Sequence, residues 1–374
     1  MNAPGLAITR RLRSTPFSSR IEAAGVKTYT VYNHMLLPTQ FRGVEEDYHH
    51  LRSAVQVWDV GCERQVELAG PDAARLAQML TVRDLRKFEV GRCGYAPVVD
   101  DDGFLINDPV ALRVADDRWW FSVSDSDVLL WAGGIARGMQ LDVTVREPEV
   151  WPLAVQGPFA EDVVAAVFGE SARAIRFFRF APLEFKGHSM LVARSGWSAQ
   201  GGFEIYVDDA ELGGLLYDAL IDAGQQYGIG PGCPNLIERI EAGLITYGTD
   251  ATRSDTALEA GLLRYCSLDA PIDAIGIDAL RRQRDAGVSR RICGFMIEGD
   301  RVPHQRNPWQ ASVGGEAVGE VTSAVWSPRL GTNVALGMLP IDHLAPGTQV
   351  VVSCTDGERV ATVVDVPFPG SSQR

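Results

Sequence analysis

The chain has 374 residues, 46% hydrophobic and 22% charged, with a formal net charge of −13. That composition supplies a large buried core divided over two or three packed subdomains. The acidic balance without a Lys/Arg run excludes nucleic acid as a partner, and no apolar stretch is long enough to span a bilayer.

The first residues, Met1-Asn2-Ala3-Pro4-Gly5 and then Arg10-Arg11-Leu12-Arg13, lack the apolar run and cleavage site of a secretory signal. Six cysteines (62, 93, 233, 266, 293 and 354) show no paired spacing. A disulfide framework and a metal site are therefore not expected, each thiol reads as a small buried hydrophobe, and the compartment reads as cytoplasmic.

Taken in chain order, Val66–Ala69 is a short alternating strand. Gly70-Pro71-Asp72 follows it, then a helix carrying Leu76, Met79 and Leu80. Tyr95 to Val98 leads to Gly103-Phe104-Leu105-Ile106-Asn107-Asp108-Pro109, where Asp108 ends an apolar strand. Trp119 to Asp125 reads as a strand with one aromatic and one polar face. Leu153–Gln156, Gly157-Pro158 and a helix with Val163, Val164, Val167 and Phe168 then repeat the first pattern. This suggests a duplicated strand–turn–helix module in an α+β core.

Ser195 to Val207 begins as a Gly-rich loop and ends as a strand. The helix after it has Leu212, Leu215, Leu216, Ala219, Leu220 and Ala223 on one face. Gly230-Pro231-Gly232 reads as a turn before another helix, which places Leu236, Ile240, Leu244 and Tyr247 on one side. The charged stretch Arg281 to Arg291 reads as a solvated helix face and a domain boundary. Short strands with Gly turns beyond it predict a β-barrel, giving domains of 1–285 and 286–374.

The common catalytic signatures are absent: there is no G-x-S-x-G, no Walker loop and no G-x-G-x-x-G after a strand. Period-2 alternation puts Glu204 and Tyr206 on one face of their strand, opposite Phe203, Ile205 and Val207. Glu204 then faces a site or water. Such a carboxylate can accept two parallel N–H bonds, as an aminopyrimidine edge offers. On the residues alone, a surface glutamate on an edge strand is the favoured reading, and a turn carboxylate is the usual reading for Asp108.

These segments have a familiar order: Gly103 to Asp108, Trp120 to Asp125, the Gln156-Gly157-Pro158 turn, Arg194 to Glu204, Glu238 to Gly248, and Gly319-Glu320-Val321-Thr322-Ser323. Along nearly the whole chain this order resembles the glycine-cleavage aminomethyltransferase (T-protein) family. Gly25 to Pro38, Asp47 to Leu51, Val57 to Val66, Ser195 to Ser198 and Gly230 to Arg239 bring it closest to that family's dimethylsulfoniopropionate demethylases.

The resemblance implies interlocked ferredoxin-like folate-binding subdomains plus a C-terminal β-barrel. It implies methyl transfer from a small-molecule sulfonium substrate to N5 of tetrahydrofolate. Rival readings are a related folate-dependent O- or N-demethylase, a glycine-cleavage aminomethyltransferase and, less favoured, a non-catalytic folate-binding protein. It makes Asp108 the catalytic aspartate and Glu204 the pterin anchor. Tyr95, Phe177, Phe178, Tyr206, Ser122 and Tyr247 become folate contacts, and Trp197, Tyr32 and Tyr206 substrate contacts. Glu63 and Asn235 stand where the wider family carries methionine and arginine, which speaks against an aminomethyl-lipoyl substrate. Arg64, Lys27 and Arg194 are candidate partners for the substrate carboxylate, and a homodimer stays open.

Overall fold

The computed structural model describes residues 7–371. The chain divides into two compact units whose segments alternate along the sequence. One comprises residues up to Arg64 with Glu149–Gly196 and Gly201–Pro234. The other comprises Gln65–Pro148, Trp197–Gln200 and the chain from Asn235 on.

The first unit is built on a six-stranded sheet. Its order is Phe180–Phe185, His188–Ala193, Gly202–Val207, Trp151–Gln156, Gln56–Asp59 and Gly230–Gly232. Val57, Leu153, Val155, Phe203, Ile205 and Val207 alternate onto one face and form a core with helices Ala160–Phe168 and Ala210–Ala223. The opposite face has its own apolar layer of Met35, Leu37, Leu51, Trp58, Val60, Cys62 and Ala154. Gly230–Gly232 is a strand rather than the expected turn. It runs parallel to Gln56–Asp59, Gly230 donates its N–H to Val55, and the Pro231 carbonyl accepts from Arg42. Proline is tolerated because this strand lies at the sheet edge.

The second unit contains a five-stranded sheet ordered Thr144–Arg146, Arg64–Ala69, Arg118–Val123, Val110–Ala115 and Cys93–Tyr95. Helices Ala73–Leu80 and Val128–Gly138 cover it through Leu76, Ala77, Leu80, Val128, Ala132 and Ala136. The two sheets share one wiring. In each, a strand is followed by a helix, and a later strand then inserts beside the first before a second helix. This split β-α-β pattern gives the sequence likeness of the two Gly-Pro joints a structural basis.

Six further strands close a barrel in the order Arg290–Ile297, Thr332–Pro340, Glu316–Ser327, Trp309–Val313, Gln349–Cys354 and Gly357–Val364. Inward residues such as Phe295, Val321, Leu339, Val350 and Val363 fill it.

Helix Leu236–Glu241 is shorter than its apolar spacing suggests. Gly243, at φ 67, turns the chain into a left-handed conformation, so Tyr247 lies beyond the helix. Asn235 caps the start, its side-chain oxygen accepting from the N–H of Ile237 at 3.0 Å and of Glu238 at 3.2 Å. This gives Asn235 a local structural role as the helix cap.

Arg239 on this helix forms a buried ion pair with Asp250 at 2.7 Å and also donates to Ser323 at 2.6 Å. Asp250 accepts from Ser323 at 2.6 Å and Thr322 at 2.8 Å. Replacing Asp250 by Ala strands a guanidinium in the interior and is expected to cost ~3–5 kcal/mol. The check is the urea midpoint at matched protein concentration.

Candidate active site

The expected site residues fall into a carboxylate centre in each unit. In the first unit, Glu204 sits mid-strand with Ala154 as its neighbour on one side and Ala193 on the other. Short side chains on both flanks leave the longer glutamate standing above its row. Trp58 pairs with Ala154 one strand further on, and its indole N–H is held by Gln56 at 2.8 Å.

Of the two settings expected for Glu204, a site or water, the structure excludes water: Glu204 and Tyr206 share a face, but their exposures are only 8% and 2%, and that face also carries the apolar layer of Trp58 and Ala154. Tyr206, opposite Pro152 and Leu191, presents no open ring. Burial raises the Glu204 pKa, opposed by a hydrogen bond donated by the Ser195 hydroxyl to Oε2.

Phe178 adopts φ 55 and hydrogen-bonds through its backbone N–H to the Arg194 carbonyl at 3.0 Å, which places it beside the Ser195 turn. A bulky residue at positive φ costs about 1–3 kcal/mol and persists where its surroundings hold it. Phe177 packs on it with ring centroids 4.4 Å apart but is itself largely exposed. Tyr32 ends a hairpin strand and packs against the layer containing Trp58.

The three basic candidates for a substrate carboxylate are all engaged. Arg64 is buried, donating to the Val150 carbonyl and lying over Trp151. Arg194 pairs with Glu161, and Lys27 donates to the Arg42 carbonyl.

In the second unit, Asp108 lies between strands Leu105–Asn107 and Val110–Ala115, directly before Pro109. It accepts a hydrogen bond from the Tyr95 hydroxyl. Burial pushes its carboxyl up to about 7. The Tyr95 bond acts against that rise, and the nearby negative charge of Asp250 adds to it. Burial first, and the Asp108 charge next, hold the Tyr95 phenol well above its ordinary value.

Tyr265 packs at a tilt against Tyr95, with ring centroids 4.6 Å apart, and Arg83 lies 5.6 Å over Tyr265 while donating to the Tyr95 carbonyl at 2.8 Å. Tyr247 is half-buried, its hydroxyl 3.4 Å from the Leu105 carbonyl, and burial pushes it up to about 12. The Asn107 amide oxygen is buried with no hydrogen-bond partner among the described residues. Ser122 is buried and accepts from Gln65 at 3.1 Å, so its hydroxyl is part of the sheet interior. Trp197 is half-buried at the start of a loop segment whose end is pinned by Glu238, which accepts from Ala199 at 3.2 Å and Gln200 at 2.8 Å.

Sequence reasoning missed Tyr265, Arg83, Ser195 and Gln156. Tyr265 comes 170 residues after Tyr95 in a segment with no periodic signal, and only the fold joins them. Ser195 and Gln156 lay inside motifs already singled out, but no spacing rule connects them to Glu204.

A buried, hydrogen-bonded carboxylate in one unit and a tyrosine-held carboxyl pushed up to about 7 in the other are groups suited to anchoring a polar edge and to moving a proton. Residues 17–270 match the GCVT N-terminal domain, and residues 290–369 match the glycine cleavage T-protein C-terminal barrel domain. The chain therefore belongs to the glycine cleavage T-protein family.

It is 50% identical over 95% of its length to the dimethylsulfoniopropionate demethylase DmdA of Ruegeria pomeroyi, covering 97% of that protein. It is 32% identical over 90% of its length to an aminomethyltransferase of Symbiobacterium thermophilum, covering 92% of that protein. The crystal structure of glycine cleavage system aminomethyltransferase T from Bartonella henselae superposes with a TM-score of 0.87 over 97% of this chain and 99% of that one, at 22% identity. Among the described residues no helix is long and apolar enough to cross a membrane.

Proposed function

We propose that this enzyme transfers a methyl group from dimethylsulfoniopropionate to N5 of tetrahydrofolate, releasing 3-(methylthio)propionate and 5-methyltetrahydrofolate. The observation that carries the reading is the 50% identity to the Ruegeria pomeroyi demethylase along 95% of the chain. Against it, the identity to the aminomethyltransferase falls to 32%.

The chemistry suits the residues present. The bond from the methyl carbon to sulfur breaks with its electron pair staying on sulfur, so the leaving group is a neutral thioether and needs no general acid. The new bond uses the N5 lone pair, and the N5 proton must then go to a base. Asp108 takes that role: a carboxyl titrating near 7 is half ionised at neutral pH and can both accept and release a proton. Glu204 accepts the N–H groups of the pterin edge, with Phe178 beside it. Trp197 and Tyr32 supply aromatic faces to the sulfonium, each contributing ~0.5–2 kcal/mol.

Cytoplasmic residence belongs to the same proposal. All six cysteines are free and buried, and burial pushes Cys266 and Cys293 up to about 12.

The test is incubation of the purified protein with the sulfonium compound and tetrahydrofolate. Equal amounts of methylthiopropionate and 5-methyltetrahydrofolate are expected. No transfer from the sulfonium, with ammonia released from an aminomethyl-lipoyl donor, would replace this reading by the aminomethyltransferase one.

A further inference from the structure

The Gln156-Gly157-Pro158 motif has no part in the reaction as described, yet Gln156 is fully buried in the first unit and lies opposite Gly202 across the sheet. Its side-chain amide donates to the Ser195 carbonyl at 3.3 Å. The turn is moulded around that amide. A Cβ built on Gly196 would lie 2.0 Å from the Gln156 amide nitrogen, and one on Gly202 would lie 2.5 Å from it. Only glycine allows both sides of the loop to close on the glutamine. The backbone is pinned again next door, where the Gly157 N–H donates to the Gly201 carbonyl at 3.1 Å. With the Ser195 backbone held in this way, its hydroxyl points at Glu204 and donates to Oε2. Ser195 is 4% exposed.

We infer that Gln156 and Ser195 are positioning residues that orient the Glu204 carboxylate for the pterin edge and keep it ionised. This rests on the reading of Glu204 as the folate anchor. Ser195 occupies one lone pair of Oε2, which fixes the carboxylate plane and leaves the remaining lone pairs in a set direction. A bond donated by a neutral hydroxyl favours the charged form over the protonated one. Without it, burial alone acts on Glu204, and its pKa rises further. A carboxylate with a raised pKa accepts N–H bonds above that pKa and loses the capacity as pH falls through it. Loss of the Ser195 hydroxyl therefore moves the acid limb of folate binding to higher pH.

The measurement is the dissociation constant of 5-methyltetrahydrofolate, which does not react in the absence of a thioether, from pH 5 to 9 in the full chain. Ser195→Ala is expected to weaken binding roughly tenfold at neutral pH, the scale of one hydrogen bond to a charged group, and to shift the acid limb upward. Ser195→Thr, which keeps the hydroxyl, should restore both. Gln156→Met, of similar volume but without the donor, should shift the limb in the same direction. A purely structural role would lower the melting temperature and leave the limb in place.

Glu204→Gln separates the two levels of the argument. If Glu204→Gln weakens binding while Ser195→Ala changes neither affinity nor the limb, this inference falls alone. If Glu204→Gln itself leaves affinity unchanged, the anchor falls and takes the inference with it.

Discussion

Replacing Asp108 by Asn is expected to lower the single-turnover rate of methyl transfer by roughly 10²–10⁴-fold, the range of a positioned general base, with folate affinity changed only a few-fold. The size follows from where charge moves. As the methyl group passes over, positive charge leaves sulfur and develops on N5. A carboxylate at N5 stabilises that charge in the transition state more than in the ground state, and only such differential stabilisation raises the rate. It then removes the proton. Asparagine keeps the shape and can accept from Tyr95, but has neither the charge nor the basicity.

The pH profile supplies an independent check. With Asp108 at about 7, the wild-type rate should climb as pH rises through that value, because the ionised form is the active one. Asp108→Asn should lose this limb. The Tyr95 hydrogen bond lowers the Asp108 pKa, so Tyr95→Phe should carry the limb to higher pH. An unchanged rate in Asp108→Asn, or a wild-type rate flat from pH 6 to 8, removes Asp108 from the chemistry.

The split between what was legible in the residues and what was not follows the range of each signal. The barrel strands, the amphipathic helix Ala210–Ala223 and the two Gly-Pro joints were readable because their patterns repeat within a dozen residues. Gly230–Gly232 was misread because glycine and proline signal a turn locally, whereas the edge of strand Gln56–Asp59, about 170 residues earlier, turns them into a strand. Apolar spacing continues past Gly243 and predicts a helix longer than Leu236–Glu241, whereas the left-handed glycine ends it.

The alternation of Glu204 and Tyr206 against Phe203, Ile205 and Val207 is correct, and of the two settings that it allows for Glu204, a site or water, the burial excludes water. A strand pattern shows which residues share a face. It does not show how far that face is buried, and here Trp58 and Ala154 on the same sheet join an apolar layer with Met35, Leu37 and Leu51. The residues alone single out Asp108 as a carboxylate before proline, and its expected catalytic role comes from the family resemblance. That it binds Tyr95, whose ring packs against Tyr265, could come only from the fold.

The burial of Glu204 gives Glu204→Gln the second large effect. The variant should weaken tetrahydrofolate binding roughly a hundredfold, the loss expected when two hydrogen bonds to a charged acceptor are compromised. The rate at saturating folate should stay within a few-fold of wild type. Glutamine retains one acceptor oxygen, and Ser195 can still donate to it, but its NH₂ group faces the pterin edge with a donor where an acceptor is needed. In an exposed setting water would relieve that mismatch. At 8% exposure, flanked by Ala154 and Ala193, Glu204 has no such relief. Because burial raises the Glu204 pKa, wild-type affinity should fall as pH drops through that raised value, while Glu204→Gln should bind weakly at every pH. Glu204→Asp sharpens the argument. It keeps the charge but withdraws the carboxylate from Ser195 by one methylene, so it should bind more tightly than Glu204→Gln and less tightly than wild type. Equal folate affinity in all three proteins, measured by fluorescence titration, would show that the pterin is held elsewhere.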